Sequence, residues 1–95
     1  MPEMRFHIRW PDGAEERCYS PSLVVKEHLV VGESYPVADF AARSRTALNI
    51  ASERVRAIYG RPCGLALAQR DRIETTAERF YADAGARVAV LGFED

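Results

Sequence analysis

PVADFAARSRTALNIASERVRAIYG, residues 36–60, is the stretch whose reading decides the fold. Proline suits the first position of a helix, where its missing N–H is not needed, and Ser34-Tyr35 precede it as a cap region. Gly60 stands where a left-handed residue ends a helix, with Arg61-Pro62 just beyond. At about 100° per residue, Val37, Phe40, Ala41, Ala47, Leu48, Ala51, Val55, Ile58 and Tyr59 fall in one apolar stripe. The spacing predicts one continuous helix of roughly 36 Å, long enough to span a small domain.

The polar residues of this segment carry the candidate site. Arg43-Ser44-Arg45 is echoed by Arg54-Val55-Arg56 almost three turns later, so Arg43 and Arg54 line one border of the stripe and Arg45 and Arg56 the other. One reading is an anion-binding surface, because guanidinium offers a planar fork of donors to phosphate or carboxylate. The other is a set of arginine stems covering the edges of a core with their charges in water. Asp39 precedes Arg43 by four residues, an ordinary helix-surface pair. Ser44 falls at the centre of the stripe, which predicts a buried hydroxyl bonded back to the carbonyl four residues earlier.

Working towards the N-terminus, Met4, Phe6, Ile8 and Trp10 alternate with Glu3, Arg5, His7 and Arg9, the pattern of a strand with one wet face. Pro11-Asp12-Gly13 is a turn, and Glu15–Tyr19 returns as a polar edge strand. Ser20-Pro21-Ser22 resembles a helix start, so residues 20–29 read as a short helix, although Leu23-Val24-Val25 equally suits extended chain. Towards the C-terminus, Arg61–Gly64 makes a tight connection into a second, antiparallel helix from Leu65 to Ala84, stopped at Gly85. Gln69 and Arg70 fall on or beside its apolar face. With Cys63 and the end of the long helix they outline a candidate polar pocket, the alternative being helix capping. Arg87–Phe93 is an apolar run read as a buried strand.

The expected architecture is one α+β domain over residues 1–95: a β-hairpin, a short helix, two long antiparallel helices and a C-terminal strand. The three strands lie in the order 2-1-3 with the helices on one face. So small a sheet is easily extended by a second copy, which makes a homodimer an expected partner state.

Composition bounds the function. Net charge is −1, but residues 1–42 carry −3, residues 43–72 carry +5 and residues 73–95 carry −3. The overall balance argues against nucleic-acid binding, while the positive middle suits an acidic protein partner or a small anion. No apolar run reaches the ~18 residues needed to cross a bilayer, and the N-terminus lacks the apolar core of a signal peptide, so the expected location is cytoplasmic and no membrane contact is expected. Cys18 and Cys63 stand alone and, with His7 and His28, lack metal-ligand spacing. No phosphate loop, GxSxG, HExxH or dinucleotide fingerprint occurs, so no cofactor is expected. A cysteine–histidine nucleophile pair, for example His7 and Cys18 across the hairpin, is the one enzymatic arrangement left open.

RWPDG at Arg9–Gly13, CYSPS at Cys18–Ser22, DFxxRSRxAL at Asp39–Leu48 and ASERVRxxYG at Ala51–Gly60 together resemble a family of small bacterial nitrogen-starvation-response proteins. These are encoded beside a nitrilase in a gene cluster associated with cyanide use as a nitrogen source. The resemblance covers nearly the whole chain. It departs after Cys63, where the family tends to carry serines and this chain has Gly64-Leu65. What it implies is a cytoplasmic accessory protein of nitrogen metabolism, with a protein from the same gene cluster as a partner. The resulting candidate site is Tyr35, Arg43, Ser44, Arg45, Arg54, Arg56, Cys63 and Gln69, with no catalytic residue assigned.

Overall fold

The computed structural model describes residues 2–95, in the order β1 (Met4–Arg9), β2 (Glu15–Ser20), a 3-10 helix (Leu23–Glu27), β3 (Ser34–Pro36), α1 (Val37–Tyr59), α2 (Gly64–Glu78) and β4 (Arg87–Glu94). The alternation in β1 sends Met4, Phe6 and Ile8 to the helix-covered face, where each is essentially inaccessible. The hairpin turn closes through Trp10 N–H to Ala14 O (2.8 Å) and Gly13 N–H to Trp10 O (2.9 Å), with Gly13 at φ 90°, a value that favours glycine.

The sheet has four antiparallel strands in the order β2-β1-β4-β3, not three. The added strand is Ser34–Pro36, the segment expected to cap the long helix. Tyr35 instead pairs with Val88 and Pro36 with Arg87 at the sheet edge. Proline is tolerated there because an edge strand can spare an N–H. Three residues are too few to show a two-residue period, which is why periodicity alone passes over them.

α1 begins one residue later than expected, after Pro36, with no side-chain cap; it ends at Gly60 in the left-handed conformation (φ 86°), whose N–H bonds Arg56 O at 2.8 Å. Within the 20–29 segment the short helix forms, as a 3-10 helix over Leu23–Glu27, capped by Ser22 Oγ accepting from Val24 N–H at 3.2 Å. α2 is shorter than expected, ending at Glu78 instead of Ala84. Arg79 and Phe80 N–H groups turn back to Thr76 and Ala77 carbonyls, and Phe80 stacks on Trp10 with centroids 6.0 Å apart. Burying that ring bends the chain away before the helix can continue.

The two helices are antiparallel: Ser52 meets Cys63, Asn49 meets Arg70 and Arg45 meets Glu74. They lie over the same face of the sheet, and the core between the layers is built on Phe6, Ile8, Phe40, Leu48, Ile73 and Val90. Among the described residues no helix is long and apolar enough to cross a membrane.

Candidate functional site

The arginines of α1 project along two borders, and the two borders meet different things. On the first, Arg43 lies over the Tyr35 ring (4.5 Å to the centroid), pairs with Asp39 and donates to His28 O at 3.1 Å. Tyr35 in turn accepts Val30 N–H at 3.0 Å through its hydroxyl. Arg54 donates to Ser22 Oγ at 3.0 Å, the same oxygen that caps the 3-10 helix. Arg43 and Arg54 thus act as two clamps that fasten the 22–30 segment to α1. On the second border Arg45 pairs with Glu74 of α2 (3.2 Å) and Arg56 with Glu53 one turn back. The four guanidinium groups therefore do not converge on one anion.

Gln69 is 1 % exposed and ties α2 to the edge of the sheet. Its Oε1 accepts Tyr19 N–H (3.0 Å) and Arg72 Nη2 (2.9 Å), and its Nε2 donates to Glu16 (3.2 Å). Glu16 also accepts the Trp10 indole N–H at 2.9 Å. A buried amide with its partners in place holds the edge strand β2 against α2 and satisfies one edge N–H that a foreign strand would otherwise use. Gln69 does not share a pocket with Arg70 and Cys63: Arg70 reaches Asn49 and Asp71, and Cys63 N–H donates to the Ser52 hydroxyl at 3.1 Å. The cleft next to Gln69, about 470 Å³ in volume, is shallow and lined by Glu16, Asp71, Arg72, Thr75 and Thr76.

Ser44 departs from expectation. It is buried, but its hydroxyl has no hydrogen-bond partner among the described residues.

The cysteine–histidine arrangement across the hairpin does not form. His7 pairs with Arg17 and lies on the open face, whereas Cys18 pairs with Phe6 on the covered face. Burial first, and then the neighbouring Glu16 carboxylate, push the Cys18 thiol well above its usual pKa, the opposite of an activated nucleophile. On the open face Glu94 collects Arg17 and His7, Arg9 pairs with Glu15, and Arg5 covers the Tyr19 ring at 4.8 Å, so this surface is largely neutralised by its own partners. Among the described residues no three His, Cys, Asp or Glu side chains gather as a metal-ligand set.

Periodicity misplaces one region. Ile58, Tyr59 and Leu65 are 60 %, 65 % and 66 % exposed and form the tip of the α1–α2 hairpin. Ile58 and Tyr59 belong to the apolar stripe yet have no sheet beneath them. A signal for this was in the lengths: 23 helical residues extend roughly 34 Å, against about 26 Å for an eight-residue strand. Of the arginines at this end, Arg54 reaches back to Ser22 and Arg56 is paired with Glu53, while Arg61 has no ion-pair partner among the described residues.

Residues 5–93 match the family of nitrogen starvation-induced proteins designated NitG. The chain belongs to the NitG family. No curated protein and no solved structure matches it significantly. Family membership makes the protein one induced by nitrogen starvation. It assigns no residue of the NitG chain a role, so the site rests on geometry.

Proposed function

We propose that this NitG protein is a non-catalytic docking module of the nitrogen-starvation response, and that it engages an acidic protein partner through the tip of its helical hairpin. The observation that carries the reading is the exposed set Ile58, Tyr59 and Leu65 beside Arg61, which has no ion-pair partner among the described residues. Apolar side chains of this size, uncovered together beside a free cation, are what a partner surface desolvates, with arginine and aromatic residues supplying the anchors. The clamp arginines Arg43 and Arg54 and the paired Arg45 are engaged within the fold, which moves the binding role from the middle of α1 to its end. In the finer form of this reading the partner is a cytoplasmic protein from the nitrilase gene cluster, and this chain is its accessory.

The test is affinity purification of the tagged protein from nitrogen-starved cells beside the double variant Ile58→Glu/Leu65→Glu. The wild type is expected to hold a partner in stoichiometric amount, released by salt, and the variant to lose it at unchanged fold. Equal capture by the two proteins would remove the tip from consideration. The rival reading, a small cysteine enzyme, is disfavoured by the sealed Cys18. Neutral iodoacetamide should label the half-buried Cys63 and reach Cys18 only after unfolding.

A further inference from the structure

The two ends of α1 are complementary. At the C-terminal end stand the exposed apolar knobs and the unpaired Arg61. At the N-terminal end is a cavity of about 100 Å³ lined by apolar residues, among them Val37, Ala38, Phe80 and the half-exposed Tyr81, with Asp83 as its one charge. Asp39 holds Arg43; Arg79, held by Asp12, lies over the Phe80 ring at 5.4 Å, and Arg87, in register with Pro36, donates to Ser34. Asp83 accepts Gly85 N–H and has no ion-pair partner among the described residues. One end thus offers an apolar knob with a free cation, the other an apolar socket with a free anion.

These ends are separated by the whole helix in a body 41 Å long, so one copy cannot bring them together. We propose that the hairpin tip of one copy packs against a second copy at the Val37–Phe80 cavity, which has room for one of its apolar side chains, with Arg61 facing Asp83, so that copies join head to tail. This rests on the reading of the tip as a docking surface and gives that surface a second copy of the chain as its occupant when the cellular partner is absent. A head-to-tail contact is heterologous, and it grows into open chains or rings instead of stopping at a dimer. The end face is limited by the other two dimensions of the body, 22 × 18 Å, which is roughly half of the ~800 Å² per partner of a standard interface. Association is accordingly weak, with dissociation constants on the order of 100 μM or higher.

Sedimentation equilibrium of the full chain, from about 10 μM to about 1 mM, tests this. The wild-type mass should climb past that of a dimer. Two blocked variants separate the ends: Ile58→Glu/Leu65→Glu disables the tip, and Ala38→Arg/Ala84→Arg, both at exposed positions, disables the socket. Each alone should remain monomeric, with circular dichroism reporting an intact fold. Mixed in equal amounts they should form a one-to-one dimer and nothing larger, because each retains the end the other lacks. A second route uses charge: Arg61→Glu and Asp83→Lys should each weaken association about tenfold, and the double variant should recover it. A wild type that stays monomeric throughout, a socket variant that assembles normally, or a mixture that fails to pair would overturn the proposal. If the wild type is monomeric while the tip variant still loses its cellular partner, self-assembly is refuted and the docking function stands.

Discussion

The first four turns of α1 and the last two look alike in sequence and differ in what they do. From Val37 to Ser52 the apolar stripe is sealed against the sheet and α2; from Glu53 to Tyr59 the same stripe continues into solvent, where Val55 is half-covered and Ile58 and Tyr59 are exposed. Helical periodicity identifies an apolar face but not what covers it. The covering layer here ends near Ser52, whose hydroxyl closes the joint with α2 through Cys63 N–H. The apolar stripe of the first part therefore holds the fold, whereas that of the last part is left uncovered while Arg54 still reaches back to Ser22.

Truncating a side chain in each half should separate them most sharply. Phe40→Ala removes a fully buried ring that also meets Trp10 edge-on at 5.7 Å, and should cost about 3–5 kcal/mol in denaturant unfolding. Ile58→Ala, also in the stripe, should stay within about 0.5 kcal/mol. A comparable loss at both sites would mean that the tip is structural. Gln69→Leu keeps the volume but leaves the Tyr19 N–H and Glu16 without their amide partner, at an expected cost of about 2 kcal/mol. Measured in the same way, it reports whether α2 is held to the sheet by that one side chain. Ser44→Ala acts in the opposite direction: deleting an unpartnered buried hydroxyl should stabilise by about 1 kcal/mol, a rise in melting temperature of several degrees.

The smallest effect concerns the open face of the sheet. Hydrogen bonds from Arg17 and His7 hold the Glu94 carboxyl below its usual pKa. Its contribution is present above the unfolded-state pKa and is lost as pH falls through the depressed folded-state value. Glu94→Gln should flatten the acid limb of the stability–pH curve slightly and leave neutral stability almost unchanged, since the pair is exposed.

The hairpin, the covered and wet faces of β1, the long helix and its Gly60 stop were legible because each has a local cause: a two-residue period, a turn proline and glycine, a 3.6-residue stripe, a left-handed cap. β3 was not, because its three residues form a strand only by pairing with β4. The end of α2 was set by Phe80 reaching Trp10, a contact between residues far apart in the chain. Among the candidate residues, the two borders of arginines follow directly from helix geometry. Their partners do not: Ser22, His28 and Glu74 come to α1 from other elements. Two of the three partners of Gln69, Tyr19 and Glu16, likewise belong to a strand some fifty residues away. The tip was hidden for a different reason, since an exposed apolar residue and a core residue have the same periodicity.

Amide hydrogen exchange along α1 in dilute protein tests the division of the helix most directly. The expected pattern is exchange of Phe40–Leu48 amides only through global unfolding, and of Ala57–Tyr59 amides through local opening at a distinctly lower free energy. Uniform, globally limited protection from Phe40 to Tyr59 would contradict it, and would make the hairpin tip part of the folded core.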